Sequence, residues 1–103
     1  MSRIALIVTF EVRPGCHAAL LDLMRRHAAA CLADEPGLER FDVLEAMDAA
    51  GRPDPLRLML YEVFRDQAAR EAHWAKPRHE ATKAAFAPLI EGRSSQLCRL
   101  GPD

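Results

Sequence analysis

The chain has 103 residues, half of them apolar, with 28% charged and 6% aromatic. That is the size of one domain, 1–103, and it excludes a two-domain dinucleotide enzyme, a barrel of eight βα units or a solenoid of several repeats. Lys and Arg number 14 against 15 Asp and Glu, a formal net charge of -1, so no basic excess exists to hold a phosphate backbone and nucleic acid is not an expected partner.

Ile4 to Val12 is a β-branched and apolar run ending at the turn signal Arg13-Pro14-Gly15, and it reads as a strand. It is too short to span a bilayer and lacks a small-residue cleavage site, so neither a membrane span nor a signal peptide is expected. From Cys16 to about Ala33 the period changes. Leu20, Leu23, Met24, His27, Cys31 and Leu32 recur at steps of three and four, which predicts an amphipathic helix stopped by Pro36-Gly37. Leu38 to Ala46 reads as a second strand and Leu56 to Phe64 as a third. Between them, Met47 to Pro55 carries Gly51, Pro53 and Pro55 and reads as a loop.

Asp66 is placed as the N-cap of a second helical region. Pro77 should break or kink it, the helical pattern resumes from Arg78 to about Ile90, and Pro88 marks a further irregularity. Gly92 closes that segment, and Arg93 to Leu100 is the last strand. The order is strand, helix, strand, strand, helix, strand. Ile4 to Val8 and Leu58 to Tyr61 are apolar at consecutive positions, so neither strand has a wet face. Helices in this number cover one face of the sheet, and the other is expected to pack on a second copy of the chain as a homodimer. Cys16, Cys31 and Cys98 form no CxxC pair and cannot all be matched in disulfides. That usage suits a reducing compartment, and the expected location is cytoplasmic.

No dinucleotide fingerprint, P-loop, nucleophile elbow or zincin motif is present. The candidates for chemistry are histidines and a few polar groups inside apolar runs. His27 and Cys31 are four apart on one helix face, as a nucleophile pair, as half a metal site, or as a pocket histidine beside a small buried thiol. His73 and His79 flank Pro77. Six apart on an unbroken helix they would diverge and make no zinc pair, but a kink at Pro77 could turn His73, with either Arg78 or His79, toward one cavity. Trp74 reads as a core plug or a pocket wall. Glu62 shares a strand face with Leu58, Leu60 and Phe64, opposite Tyr61. A carboxylate there is a general base or, the favoured reading, half of a buried pair with Arg40 or Arg57 across the sheet or at the dimer seam, and Asp42 is read in the same way.

The strings "VTFEVRPG", "CLADEPGLERFDVLE" and "LMLYEVFRDQAAREAH" resemble, in order and separation, the antibiotic biosynthesis monooxygenase family, and the likeness runs from Ile4 to Leu100. The resemblance implies an α+β, ferredoxin-like βαββαβ sandwich that pairs into a dimeric α+β barrel. It also implies oxidation of quinols or anthrone-type aromatics with O2 and no metal or flavin cofactor. A related branch isomerises a phosphorylated signalling sugar derivative, and a distant one degrades haem.

This chain departs from the family pattern at His27, where Asn is frequent, at Cys31 in place of Ser, at Leu38 in place of Cys, and at Arg78, which intervenes before His79. His73 holds its family position. Trp74 and Lys83 do not reproduce the haem-degrading set. The resulting expectation is a cofactor-independent monooxygenase acting on a small-molecule substrate. His73 and His27 are its candidate bases and Tyr61 a hydrogen-bond donor. Arg78 or His79 would be the anion partner, and Phe41, Trp74 and Cys31 would line the substrate pocket. An isomerase using Arg78 and His79 for a phosphate, and a non-catalytic binding dimer, are the alternatives.

Overall fold

The computed structural model describes residues 2–101. Strand β1 (Arg3–Val12) runs into the Pro14-Gly15 turn, where Gly15 takes a φ of 83° that a side chain would resist. Helix α1 (His17–Asp34) follows and turns Leu20, Met24, His27, Ala28 and Cys31 inward. Leu32, expected on that face, is instead exposed. It lies about 100° round the helix from Cys31, and Ala28 takes the inner place.

Strands β2 (Leu38–Met47) and β3 (Pro53–Phe64) form a hairpin. The third strand therefore starts earlier than Pro53 and Pro55 suggested. Those prolines lie beyond the last β1 partner of β3, the Glu11–Arg57 pair, so their missing N–H groups interrupt no ladder on that side. Helix α2 (Gln67–Ala75) is capped by Asp66, whose side chain accepts from the Ala69 amide at 2.8 Å. Lys76 then adopts extended backbone, as a residue before proline prefers, and Pro77 opens helix α3 (Pro77–Phe86). A short 3-10 turn, Ala87–Leu89, leads into β4 (Ile90–Leu100), which begins before the expected Arg93.

The four strands form one antiparallel sheet in the order β2-β3-β1-β4, with the helices on one face. This βαββαβ arrangement is the α+β ferredoxin-like fold. Leu6, Val8, Phe10, Leu58, Leu60 and Phe64 point inward and pack against Leu20 and Met24 of α1 as the core. On the outer face Ile7 and Tyr61 pair across strands, as do Thr9 and Met59, and all four are half-buried without a covering layer. Among the described residues no helix is long and apolar enough to cross a membrane.

Candidate active site

The core is incomplete at one end. A cavity of about 290 Å³ opens between the inner sheet face and all three helices. The sheet supplies Leu6, Val8, Phe10, Phe41, Leu60 and Glu62, α1 supplies Met24 and His27, and α2 supplies His73 and Trp74. The break at Pro77 swings α3 back across the opening, so His79, Thr82 and Phe86 close the other side. An engineered apolar cavity of roughly 150 Å³ takes up benzene, so this space suits a ligand of one or two rings.

His73 is the best-held polar group in the wall, at 3% exposure. Its Nδ1 lies 2.7 Å from Oε1 of Glu35, itself buried at the C-terminus of α1. A carboxylate on Nδ1 keeps the proton there and leaves Nε2 as the ring's basic atom, the orientation that triad-type bases share. The contact depends on Gly37. A Cβ at that position would stand 2.5 Å from the Cβ of Ala69, so only glycine lets the turn after α1 approach α2 closely enough for Glu35 to reach His73.

His27 sits across the cavity from His73, with ring centroids 6.1 Å apart. Its Nδ1 is 2.9 Å from the Thr82 hydroxyl, and its ring meets Phe41 edge-on at 5.6 Å. Burial, and then the charge of a protonated His73, push its pKa down to about 4. The ring is therefore neutral at pH 7 and exchanges hydrogen bonds more readily than it takes up a proton. His79 is 5.5 Å from His73 between ring centroids, and burial again lowers its pKa.

Five of the eight residues singled out in the sequence line this cavity: His27, His73, His79, Phe41 and Trp74. The other three lie elsewhere. Tyr61 is on the opposite sheet face, with the Arg40 guanidinium 5.7 Å from its ring centre. Arg78 turns outward from α3 and bonds to Asp34 and, at 3.2 Å, to Glu35. Its charge is already matched, and its indirect part is to tether Glu35. Cys31 lies behind His27, and burial raises its thiol to about 12, which leaves it without nucleophilic thiolate at neutral pH.

Glu62 is where the sequence reading is corrected. It pairs with neither Arg40 nor Arg57. Arg40 bonds to Asp42 at 2.5 Å and Arg57 lies near Asp54. The register sets Arg40 opposite Val63, one position from Glu62, while Arg57 stands five residues from Glu62 on β3 itself, and either odd offset reverses the face. Glu62 instead lines the cavity at 3% exposure, its Oε1 without a hydrogen-bond partner and 3.6 Å from His73 Nε2. Burial raises its pKa to about 7 against the partial relief of Arg93.

The group best placed to meet a metal is His27, Cys31 and His73, whose ligand atoms lie within 4.8 Å of one another. The Cys31 sulfur is 3.8 and 3.6 Å from the two His27 nitrogens. Near-equal distances mean that the sulfur faces the ring between them, off the lone-pair direction a shared ion needs. Thr82 and Glu35 already occupy one nitrogen on each histidine. The arrangement holds a proton better than a cation.

The ferredoxin-like sandwich thus holds a buried carboxylate–histidine pair at the end of a cavity that is mostly apolar. The sequence profile of the antibiotic biosynthesis monooxygenases matches residues 3–85, and the chain belongs to that family. Similar solved structures include a Caulobacter crescentus protein provisionally named an antibiotic biosynthesis monooxygenase (TM-score 0.88, 19% identity, covering 98% of this chain and 92% of that one). A Nitrosomonas europaea protein with the same provisional name has a TM-score of 0.80 at 25% identity, over 92% of this chain and 95% of its own. A Bacteroides fragilis protein described as dimeric and ferredoxin-like has a TM-score of 0.76 at 17% identity, over 95% and 96%. No curated protein matches the chain.

Proposed function

We propose that the protein is a cofactor-independent monooxygenase of a small quinol or enolisable aromatic, with His73 as its base. The observation that carries this reading is the Glu35–His73 pair, buried beside an apolar cavity of ring size. His73 Nε2 removes a proton from the substrate, and Glu35 stabilises the imidazolium that results. The substrate anion passes one electron to O2, and the radical pair combines into a carbon-bound hydroperoxide. The proton returned by His73 completes the hydroperoxide. The hydrogen remaining on that carbon is lost as the O–O bond breaks, so one oxygen stays in the product as a carbonyl and the other leaves as water carrying both hydrogens. The dry walls made by Met24, Phe41 and Phe86 protect the anion from reprotonation by solvent. His27, neutral and held by Thr82, offers a hydrogen bond to the reacting oxygen.

In the isomerase alternative Arg78, the cation expected to hold the phosphate, is engaged with Asp34 and Glu35, which leaves that task to Lys83 and Arg93 in the cavity wall. The test is O2 uptake with hydroquinones and anthrones, corrected for autoxidation, for the wild type and His73→Ala. Uptake that disappears in the variant is the expected result, and equal uptake by both overturns the assignment of the base.

The same reading includes a homodimer through the outer sheet face, on which Ile7, Met59 and Tyr61 lie together, with Leu44 exposed beside them. Light scattering at micromolar concentration should return twice the mass of one chain. A single-chain mass would remove the dimer.

A further inference from the structure

Two polar tips inside the cavity belong to no hydrogen bond with each other. His73 Nε2 and Glu62 Oε1 are 3.6 Å apart, beyond a hydrogen bond yet close enough for one oxygen atom to reach both. The remaining partners are fixed. His73 Nδ1 is held by Glu35, and Glu62 Oε1 has no partner at all among the described residues. An unsatisfied carboxyl oxygen in an apolar wall costs stability, and a ligand that bonds to it recovers that cost.

We propose that Glu62 and His73 together clamp a single phenolic hydroxyl, which makes the pocket's substrate a small hydroxyarene that reacts as an O–H acid. This rests on the monooxygenase reading and narrows its substrate class. The hydroxyl donates to His73 Nε2 while the neutral Glu62 carboxyl donates to the same oxygen. When the proton moves to His73, the carboxyl is already aimed at the phenolate and stabilises it without rearrangement. Glu62 holds its proton up to about pH 7 because its burial outweighs the cations around it. The groups facing it are His73 and Arg70 from α2, Arg93 from β4 and Glu35 at the end of α1, with His27 of α1 and His79, Glu80 and Lys83 of α3 across the cavity.

The clamp discriminates by geometry. In a C–H acid of the anthrone type the acidic carbon is para to the carbonyl. A donor on that carbonyl oxygen and a base at that carbon would stand on the order of 6 Å apart, from bond lengths and hydrogen-bond directions. Glu62 and His73 are too close together for that arrangement.

The test is calorimetric titration with 4-methylphenol, which carries the hydroxyl but undergoes no turnover as a quinol, and with its methyl ether. Both are titrated into the wild type, Glu62→Gln and Glu62→Leu. The phenol should bind the wild type and Glu62→Gln within threefold of each other, because the amide keeps a donor. Glu62→Leu should weaken it about tenfold, the size of one hydrogen bond in a dry site. The methyl ether, with no proton for His73, should bind the wild type about tenfold more weakly than the phenol. Affinity of the wild type should fall as pH rises through about 7, and that of Glu62→Gln should not. Undiminished phenol binding by Glu62→Leu, or equal binding of phenol and ether by the wild type, overturns the clamp. Because binding is read without turnover, a protein that binds phenol through Glu62 and consumes no O2 keeps the clamp and loses the monooxygenase reading.

Discussion

Replacing Glu62 by Gln removes one ionisable group from a buried position with no partner, and the consequence for stability has a definite sign. In the unfolded chain the carboxyl ionises near the ordinary 4.5, whereas in the fold it holds its proton to about 7. Between those values the folded state binds one proton more than the unfolded state, so wild-type stability falls as pH rises. The slope is about 1.4 kcal/mol per pH unit, and over that interval the loss comes to ~3 kcal/mol. Below the unfolded value the carboxyl is neutral in both states and the penalty is absent. Above about 7 it is complete. Glu62→Gln has no such proton, and every other titrating group is common to the two proteins. Urea unfolding of both, at one protein concentration and from about pH 4 to about pH 8, should show the variant gaining ~3 kcal/mol on the wild type. A fixed difference between the two curves across that range would refute the reasoning, since Glu62 would then ionise in the fold as it does in water.

Glu35→Gln should lower kcat while leaving phenol binding nearly unchanged, and should lower stability by about 1.5–3 kcal/mol as a buried charge-assisted hydrogen bond is lost. Steady-state kinetics with chemical denaturation checks both. Gly37→Ala forces a Cβ against Ala69. It should destabilise the protein by about 1–3 kcal/mol and, by moving Glu35 away from His73, impair turnover, measured by melting and O2 uptake. Cys31, raised to about 12 by burial, should resist alkylation at neutral pH under conditions that label the exposed Cys98, as peptide mass spectrometry would read.

Much of this architecture was legible as pattern. The two-faced strands at Ile4 to Val8 and Leu58 to Tyr61, the period of α1 and the cap at Asp66 are local signals, and local signals survive folding. The break at Pro77 was equally visible, and with it the chance that His73 and His79 share a cavity. What a pattern cannot carry is register. The strand alternation placed Glu62 inward and, five residues away on the same strand, Arg57 outward, but only the pairing with β2 shows that Arg40 falls on the other side too. Glu35 drew no attention because it reads as the last residue before a Pro-Gly turn. Its meeting with His73 joins positions 38 apart in sequence and depends on the close approach at Gly37. Arg78 stays out of the cavity that His79 enters because its guanidinium is taken up by Asp34 and Glu35, carboxylates more than forty residues away in sequence. Tyr61 was excluded by the same alternation that admitted Glu62.

The central claim is that this pocket inserts oxygen by way of a proton taken by His73. Turnover of a methyl-substituted hydroquinone under 18O2, followed by mass spectrometry of the product, tests it most directly. The account predicts one labelled oxygen in the wild-type product, the second recovered in water, and no enzymatic labelling with His73→Ala. Quinone formed without label, or label that enters equally with His73→Ala, would contradict it.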